Sequence, residues 1–99
     1  MTSEAEIAIA VLRVLATRPN GEATFAALRL EVPKHIQLSA EDQRQSTTRP
    51  NEEMWEQRLR NITSHKATPG NVIHDGYAEE IPGGLRLTPS GRSRVTKAA

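Results

Sequence analysis

The sequence predicts an α+β domain, with helices first, a short β-hairpin near the end and a closing helix. Three observations lead there. Apolar residues recur at helical spacing across 7–15, 25–32 and 55–62. The spacing changes to strict alternation at Leu85-Arg86-Leu87, just after the turn residues Pro82-Gly83-Gly84. Residues that cap helices stand before the helical stretches.

The first helix is signalled by Ser3-Glu4-Ala5-Glu6, a capping box in which serine and glutamate satisfy each other's backbone amides. Ile7, Val11, Val14 and Leu15 share one face, flanked by Ala8 and Leu12. Pro19-Asn20-Gly21 predicts a stop near Thr17. Thr24 is the cap of a second helix, FAALRLEV, with Phe25, Leu28 and Val32 inward and Pro33 at its end. Ser39-Ala40-Glu41-Asp42 reads as the start of a short polar helix, and residues 45–50 as a loop.

Pro50 suits a first helical turn and Asn51 a cap, so the next helix is expected over 51–66, NEEMWEQRLRNITSHK. Trp55, Leu59 and Ile62 form its apolar stripe, bordered by Met54. Residues 72–75 can make one more helical turn, closed by Gly76 in a left-handed conformation. The hairpin runs from Tyr77 to Leu87, and Thr88-Pro89 opens the last helix. Two strands alone are marginal in water, so the hairpin must pack on the helices. Helices followed by such a hairpin and a closing helix form the winged-helix arrangement: a helix-turn-helix bundle with a two-stranded β-hairpin wing. Residues 1–99 are expected to be a single domain of this kind, with Leu12, Leu15, Leu28, Trp55, Leu59, Ile62, Tyr77 and Leu87 in the core.

Composition narrows the function classes. The chain has no cysteine, which excludes disulfides, thiolate metal sites and cysteine catalysis. His35, His65 and His74 lack the spacing of a zinc site, so no metal or other cofactor is expected. Ser64-His65 and His74-Asp75 come with no nucleophile elbow or oxyanion hole, so a hydrolase has no supporting motif. There is no apolar run of membrane length and no signal-peptide pattern, and a cytoplasmic protein is expected.

Net charge is only +1, so the distribution of charge carries more than its sum. Residues 86–99 hold Arg86, Arg92, Arg94 and Lys97 with no acid. Residues 44–66 hold Arg44, Arg49, Arg58, Arg60 and Lys66 against Glu52, Glu53 and Glu56. A basic face results if the fold brings these stretches together.

GYAEEIPGGLRLTPSGR (76–92) and WEQRLRNITSHK (55–66) resemble the N-terminal winged-helix domain of Mrr-type restriction endonucleases, and related winged-helix domains are attached to HNH-type nucleases. The resemblance is carried by Trp55, Arg58, Leu59, Arg60, Gly76, Tyr77, Glu79, Leu85, Arg86, Leu87, Thr88, Gly91 and Arg92. It implies a module that binds double-stranded DNA and places a nuclease domain or subunit on its target. The loop KATPGN (66–71) departs from the family pattern. The catalytic residues of the Mrr-type and His-Asn-His nucleases are absent from the chain, so a non-catalytic role is expected.

Gln57, Arg58, Arg60, Asn61 and Ser64 are the expected groove contacts, because arginine, glutamine and asparagine pair with base edges. Thr48, Arg49, Lys66 and Arg86 are the expected phosphate contacts. The opposing reading is a solvated helix face: Glu56 and Arg60 stand i, i+4, and Glu53 and Glu56 repel phosphates. A protein-interaction module on the same fold is the alternative, given the near-neutral charge and Glu79-Glu80.

Overall fold

The computed structural model describes residues 2–48 and 51–98, the side chains of 97 and 98 excepted. The elements are α1 (Glu4–Ala16), β1 (Glu22–Thr24), α2 (Phe25–Glu31), α3 (Met54–Ser64), β2 (Ala78–Ile81), β3 (Gly84–Leu87) and α4 (Pro89–Ala98). Four helices thus accompany a three-stranded antiparallel sheet of order β1-β3-β2.

α1 begins as its sequence directs. Ser3 Oγ accepts from the Glu6 amide at 3.1 Å, and the Ser3 amide donates to Glu6 Oε1 at 3.2 Å. Ile7, Val11, Leu12, Val14 and Leu15 are buried, and Thr17 is the C-cap. α1 is the hub of the core, packing against α3, α4 and β3. Leu28, Val32, Trp55, Leu59, Ile62, Leu85 and Leu87 complete the buried cluster, whereas Tyr77 is only partly buried against it.

Thr24 Oγ1 accepts from the Ala27 amide at 3.1 Å and caps α2. Pro33 does not end the helical path abruptly. It sits in a 3-10 turn, Val32–Lys34, where its missing amide costs no bond.

β1 is absent from the sequence reading, since three residues are too few for alternation to show. Its pairing is set by β3, with Ala23 opposite Leu85 and Leu87 donating to Gly21 C=O at 2.8 Å. Gly84 lies in this strand rather than in the turn. A Cβ there would stand 2.1 Å from the Ala23 carbonyl oxygen, so only glycine lets the two backbones approach. The β2–β3 turn is the two residues Pro82-Gly83, and the Phe25 amide donates to Gly83 C=O at 3.0 Å. The hairpin is therefore anchored at both ends of β3, to the α1–β1 turn at Leu87 and to the start of α2 at Gly83.

The helix expected from Ser39 does not form, although its cap does. The Asp42 amide donates to Ser39 Oγ at 3.1 Å, and the Ser39 amide donates to Asp42 Oδ2 at 2.9 Å. The Asp42 carboxylate is also bound by the Thr2 amide and hydroxyl, each at 2.8 Å. It is wholly buried by these partners. Residues 43–46 have no apolar spacing to bury, so nothing propagates the turn. The segment instead runs back antiparallel, with a bridge between Gln45 and Glu53.

α3 starts at Met54 with Glu53 as its cap residue, not at Asn51. Asn51 has φ +68°, a left-handed turn conformation that asparagine tolerates. The Glu53 carboxylate accepts from Trp55 Nε1 at 3.0 Å, and the Glu53 amide donates to Glu56 Oε1 at 2.9 Å. Pro50 lies outside the described residues. Residues 71–76 form the expected turn, closed by Gly76 at φ +83°.

Candidate nucleic-acid interface

The expected contact residues fall in two places. Gln57, Arg58, Arg60, Asn61 and Ser64 lie on α3, and Lys66 lies just beyond its C-terminal end. Arg86 lies on β3. Trp55, Leu59 and Ile62 are turned toward α1, which directs Gln57, Arg60, Asn61 and Ser64 away from the core.

This outer face is not uniformly open. The segment before α3 folds over its first turns, with the Ser46 amide donating to the Glu52 carbonyl at 2.7 Å. Ser46 Oγ donates to Gln57 Oε1, so Gln57 is half-buried. Thr48 is exposed, and its amide donates to Ser46 Oγ at 3.2 Å. Arg49 lies outside the described residues. Arg58 and Asn61 are half-buried, while Arg60, Ser64 and Lys66 are exposed. The half of α3 beyond Arg60 is thus the accessible half.

Charge pairing changes the picture further. Arg60 binds Glu52 through Nε at 3.1 Å and through a second, closer guanidinium contact. This hydrogen bond raises the Arg60 pKa above its ordinary value. The expected Glu56–Arg60 pair is replaced, since Glu56 turns to Arg29 of α2 at 3.8 Å. Lys66 Nζ reaches Glu80 Oε1 of β2 at 2.7 Å. On the outer face of the sheet, Arg86 is flanked by Glu79 at 2.7 Å and Glu22 at 3.2 Å. The register explains it: Glu22 and Glu79 stand directly opposite Arg86 on the two neighbouring strands. Both carboxylates, Glu79 first, raise the Arg86 pKa.

Sequence reasoning missed Glu52, Glu22 and Ser46 as partners. Glu52 lies eight residues from Arg60, and Glu22 pairs through a strand that the pattern does not disclose. The Ser-Thr-Thr run ahead of Pro50 was the one local signal of a structured loop.

A groove of about 350 Å³ runs between α2 and α3. Phe25 and Leu59 contribute its apolar lining, and Arg29, Glu56 and Arg60 its charges. His65 Nδ1 meets Glu4 at 2.9 Å, and His74 Nδ1 meets Asp75 at the same distance. Among the described residues, no group of three or more His, Cys, Asp or Glu side chains is placed to hold a metal ion. No helix among them is long and apolar enough to cross a membrane.

No protein-family model, curated protein or solved structure matches the chain.

Proposed function

We propose that the chain is a non-catalytic winged-helix module that binds double-stranded DNA, either as the target-recognition part of a system with a nuclease domain or subunit, or as a stand-alone relative. The winged-helix reading is supported by the order of elements. It is also supported by β1, which ties the hairpin to the helical bundle and meets the need of a small hairpin for packing partners.

One observation carries the DNA reading. The accessible half of α3 presents Arg60, Asn61 and Ser64 together, and no acid occurs in the chain between Gln57 and His74. These side chains suit base edges and phosphates. The pairs Arg60–Glu52 and Lys66–Glu80 do not forbid that role. The exposed Lys66–Glu80 pair contributes only about 0–1 kcal/mol, so a phosphate can displace its carboxylate, whereas Arg60 must leave a mostly buried Glu52. The covered first turns place the contact toward the C-terminal end of the helix.

The groove between α2 and α3 favours a second reading, protein interaction. Its apolar lining comes from Phe25 of α2 and Leu59 of α3, and α2 also carries Leu30, 73% exposed.

Titration of a fluorescent duplex at two salt concentrations tests the first reading. Binding that weakens steeply with salt is the expected result. Absence of binding at micromolar protein in low salt would remove the DNA reading and leave the protein-interaction one.

A further inference from the structure

The chain contains two long acid-free runs besides the one in α3: residues 7–21 and residues 81–99. The fold packs them together, because α4 docks on α1. The contact is firm at the first turn of α4. Thr88 Oγ1 accepts from the Gly91 amide at 3.0 Å and donates to the Gly76 carbonyl. Gly91 is buried, and a Cβ there would lie 1.9 Å from the Tyr77 carbonyl oxygen. α4 is therefore a seated helix, not a frayed tail.

Seating α4 places Arg92 against the turn that Arg18 opens, and Arg94 beside Tyr77. Arg18 starts that turn, its carbonyl accepting from the Gly21 amide at 3.1 Å, and its Nε donates to the Glu22 carbonyl at 3.3 Å. A Cβ on Gly21 would stand 3.6 Å from the Arg92 guanidinium, so Arg92 lies against the same turn. The Arg94 guanidinium lies 4.8 Å from the centre of the Tyr77 ring, a cation–π contact. Arg92 and Arg94 are exposed, and none of the three enters an ion pair with a described residue. The acids nearby have closer partners, although the Asp75 pKa, lowered chiefly by its bond to His74, is lowered further by the nearby Arg94. The Glu22 carboxylate is on Arg86, and the Asp75 carboxylate is on His74 and the Gly70 amide.

We infer that the Arg18–Gly21 turn and α4 form a phosphate-binding surface, centred on Arg18, Arg92 and Arg94 and separate from α3, that supplies most of the salt-dependent affinity for duplex DNA. The inference rests on the DNA reading above and assigns it a different electrostatic face. Guanidinium groups with no carboxylate within ion-pair distance give up less when they meet a phosphate. Those of Arg60 and Arg86 must first lose a bonded acid. The partner is a nucleic-acid duplex rather than a lipid surface, since no exposed large apolar residue accompanies these arginines to insert. Among the described residues the exposed large hydrophobic is Leu30, on α2.

The test compares duplex affinity and its salt dependence in the wild type, in Arg92→Gln/Arg94→Gln and in Arg44→Gln. Arg44 is exposed and outside the proposed surface, and controls for lost charge. The double variant is expected to bind about tenfold or more weakly at low salt and to flatten the slope of log affinity against log salt by about 2. Arg44→Gln should do neither. Arg92→Lys/Arg94→Lys keeps the charge and should bind nearly as the wild type, which separates lost contact from lost folding. Equal slopes in the wild type and the double variant would overturn the inference while leaving the DNA reading intact. A wild type that binds no duplex overturns both, and binding to phosphatidylserine vesicles in place of duplex points to a membrane partner instead.

Discussion

The two sides of α1 carry similar numbers of arginines and treat them differently. Toward α3 and the hairpin, Arg29, Arg60, Lys66 and Arg86 each have a carboxylate within ion-pair distance. Toward α4, Arg18, Arg92 and Arg94 have none among the described residues, and their nearest fixed contacts are a backbone carbonyl, a glycine and a tyrosine ring. Counting charges along the chain therefore misleads. Arg60 and Lys66 in the acid-free run at 57–74, and Arg86 in the run at 81–99, are paired by Glu52, Glu80, Glu79 and Glu22 from outside those runs, whereas Arg18, Arg92 and Arg94 lie where α4 meets the end of α1. Which cations are available to a partner is a property of the fold.

The comparison is broken most severely by unseating one side. Trp55→Ala removes the largest side chain between α3 and α1 and is expected to cost about 3–5 kcal/mol, read from the denaturant midpoint. A cost under 1 kcal/mol would show that α3 is not held by this stripe.

Next in size is Asp42→Ala, expected to cost about 2–4 kcal/mol, because two backbone amides and two hydroxyls lose a buried acceptor. The same group gives a pH dependence. Burial raises the Asp42 pKa, but bonds from the Ser39 amide, the Thr2 hydroxyl and amide and the Ser39 hydroxyl outweigh it, so the carboxyl is held well below its usual range. A depressed folded pKa means that this stability is fully present above the ordinary value of 3.8 and is lost as pH falls below it. Thermal melts from pH 6 downward should show the wild type losing stability in acid. Asp42→Asn should lack that part of the loss, and identical profiles would contradict the assignment.

On the other side, Gly91→Ala forces a Cβ into the Tyr77 carbonyl and is expected to destabilise by about 2 kcal/mol or more. Hydrogen exchange should then locate the loosening in α4 before α3. Exchange that rises first in α3 would argue against α4 as a separately seated element.

The smallest effect sharpens the comparison most. Glu52→Gln removes the charge facing Arg60 but keeps the side chain's size and a hydrogen-bonding oxygen, and should change stability by about 1 kcal/mol. If α3 touches DNA, freeing Arg60 should raise duplex affinity a few-fold. An unchanged affinity would take Arg60 out of the contact set.

Much of the fold was readable in the sequence where local chemistry and hydrophobic spacing agree. Ser3-Glu6, Thr24, the Trp55-Leu59-Ile62 stripe and Thr88-Pro89 each mark an element that forms. The failures share a cause, since each depends on a distant partner. Ser39-Asp42 has the signature of a helix start, yet its aspartate is claimed by Thr2, forty residues away. β1 exists because β3 needs a neighbour, and Glu22 has no pattern of its own. Gln57, Arg58, Arg60, Asn61 and Ser64 lie on α3 and Arg86 on β3, while Thr48 and Lys66 lie on the flanking segments. Their pairing with Glu52, Glu80, Glu79 and Glu22 was not visible, because cross-strand and loop-to-helix neighbours leave no fixed spacing in the chain.

The most direct measurement is a two-dimensional amide NMR titration of the isotopically labelled chain with duplex DNA at low and moderate salt. The largest shifts are expected at Arg18, Gly21, Arg92 and Arg94, with a smaller set from Arg60 to Lys66, the first set fading fastest as salt is added. Shifts confined to α3 and the hairpin, with Gly21 and α4 unmoved, would contradict this expectation.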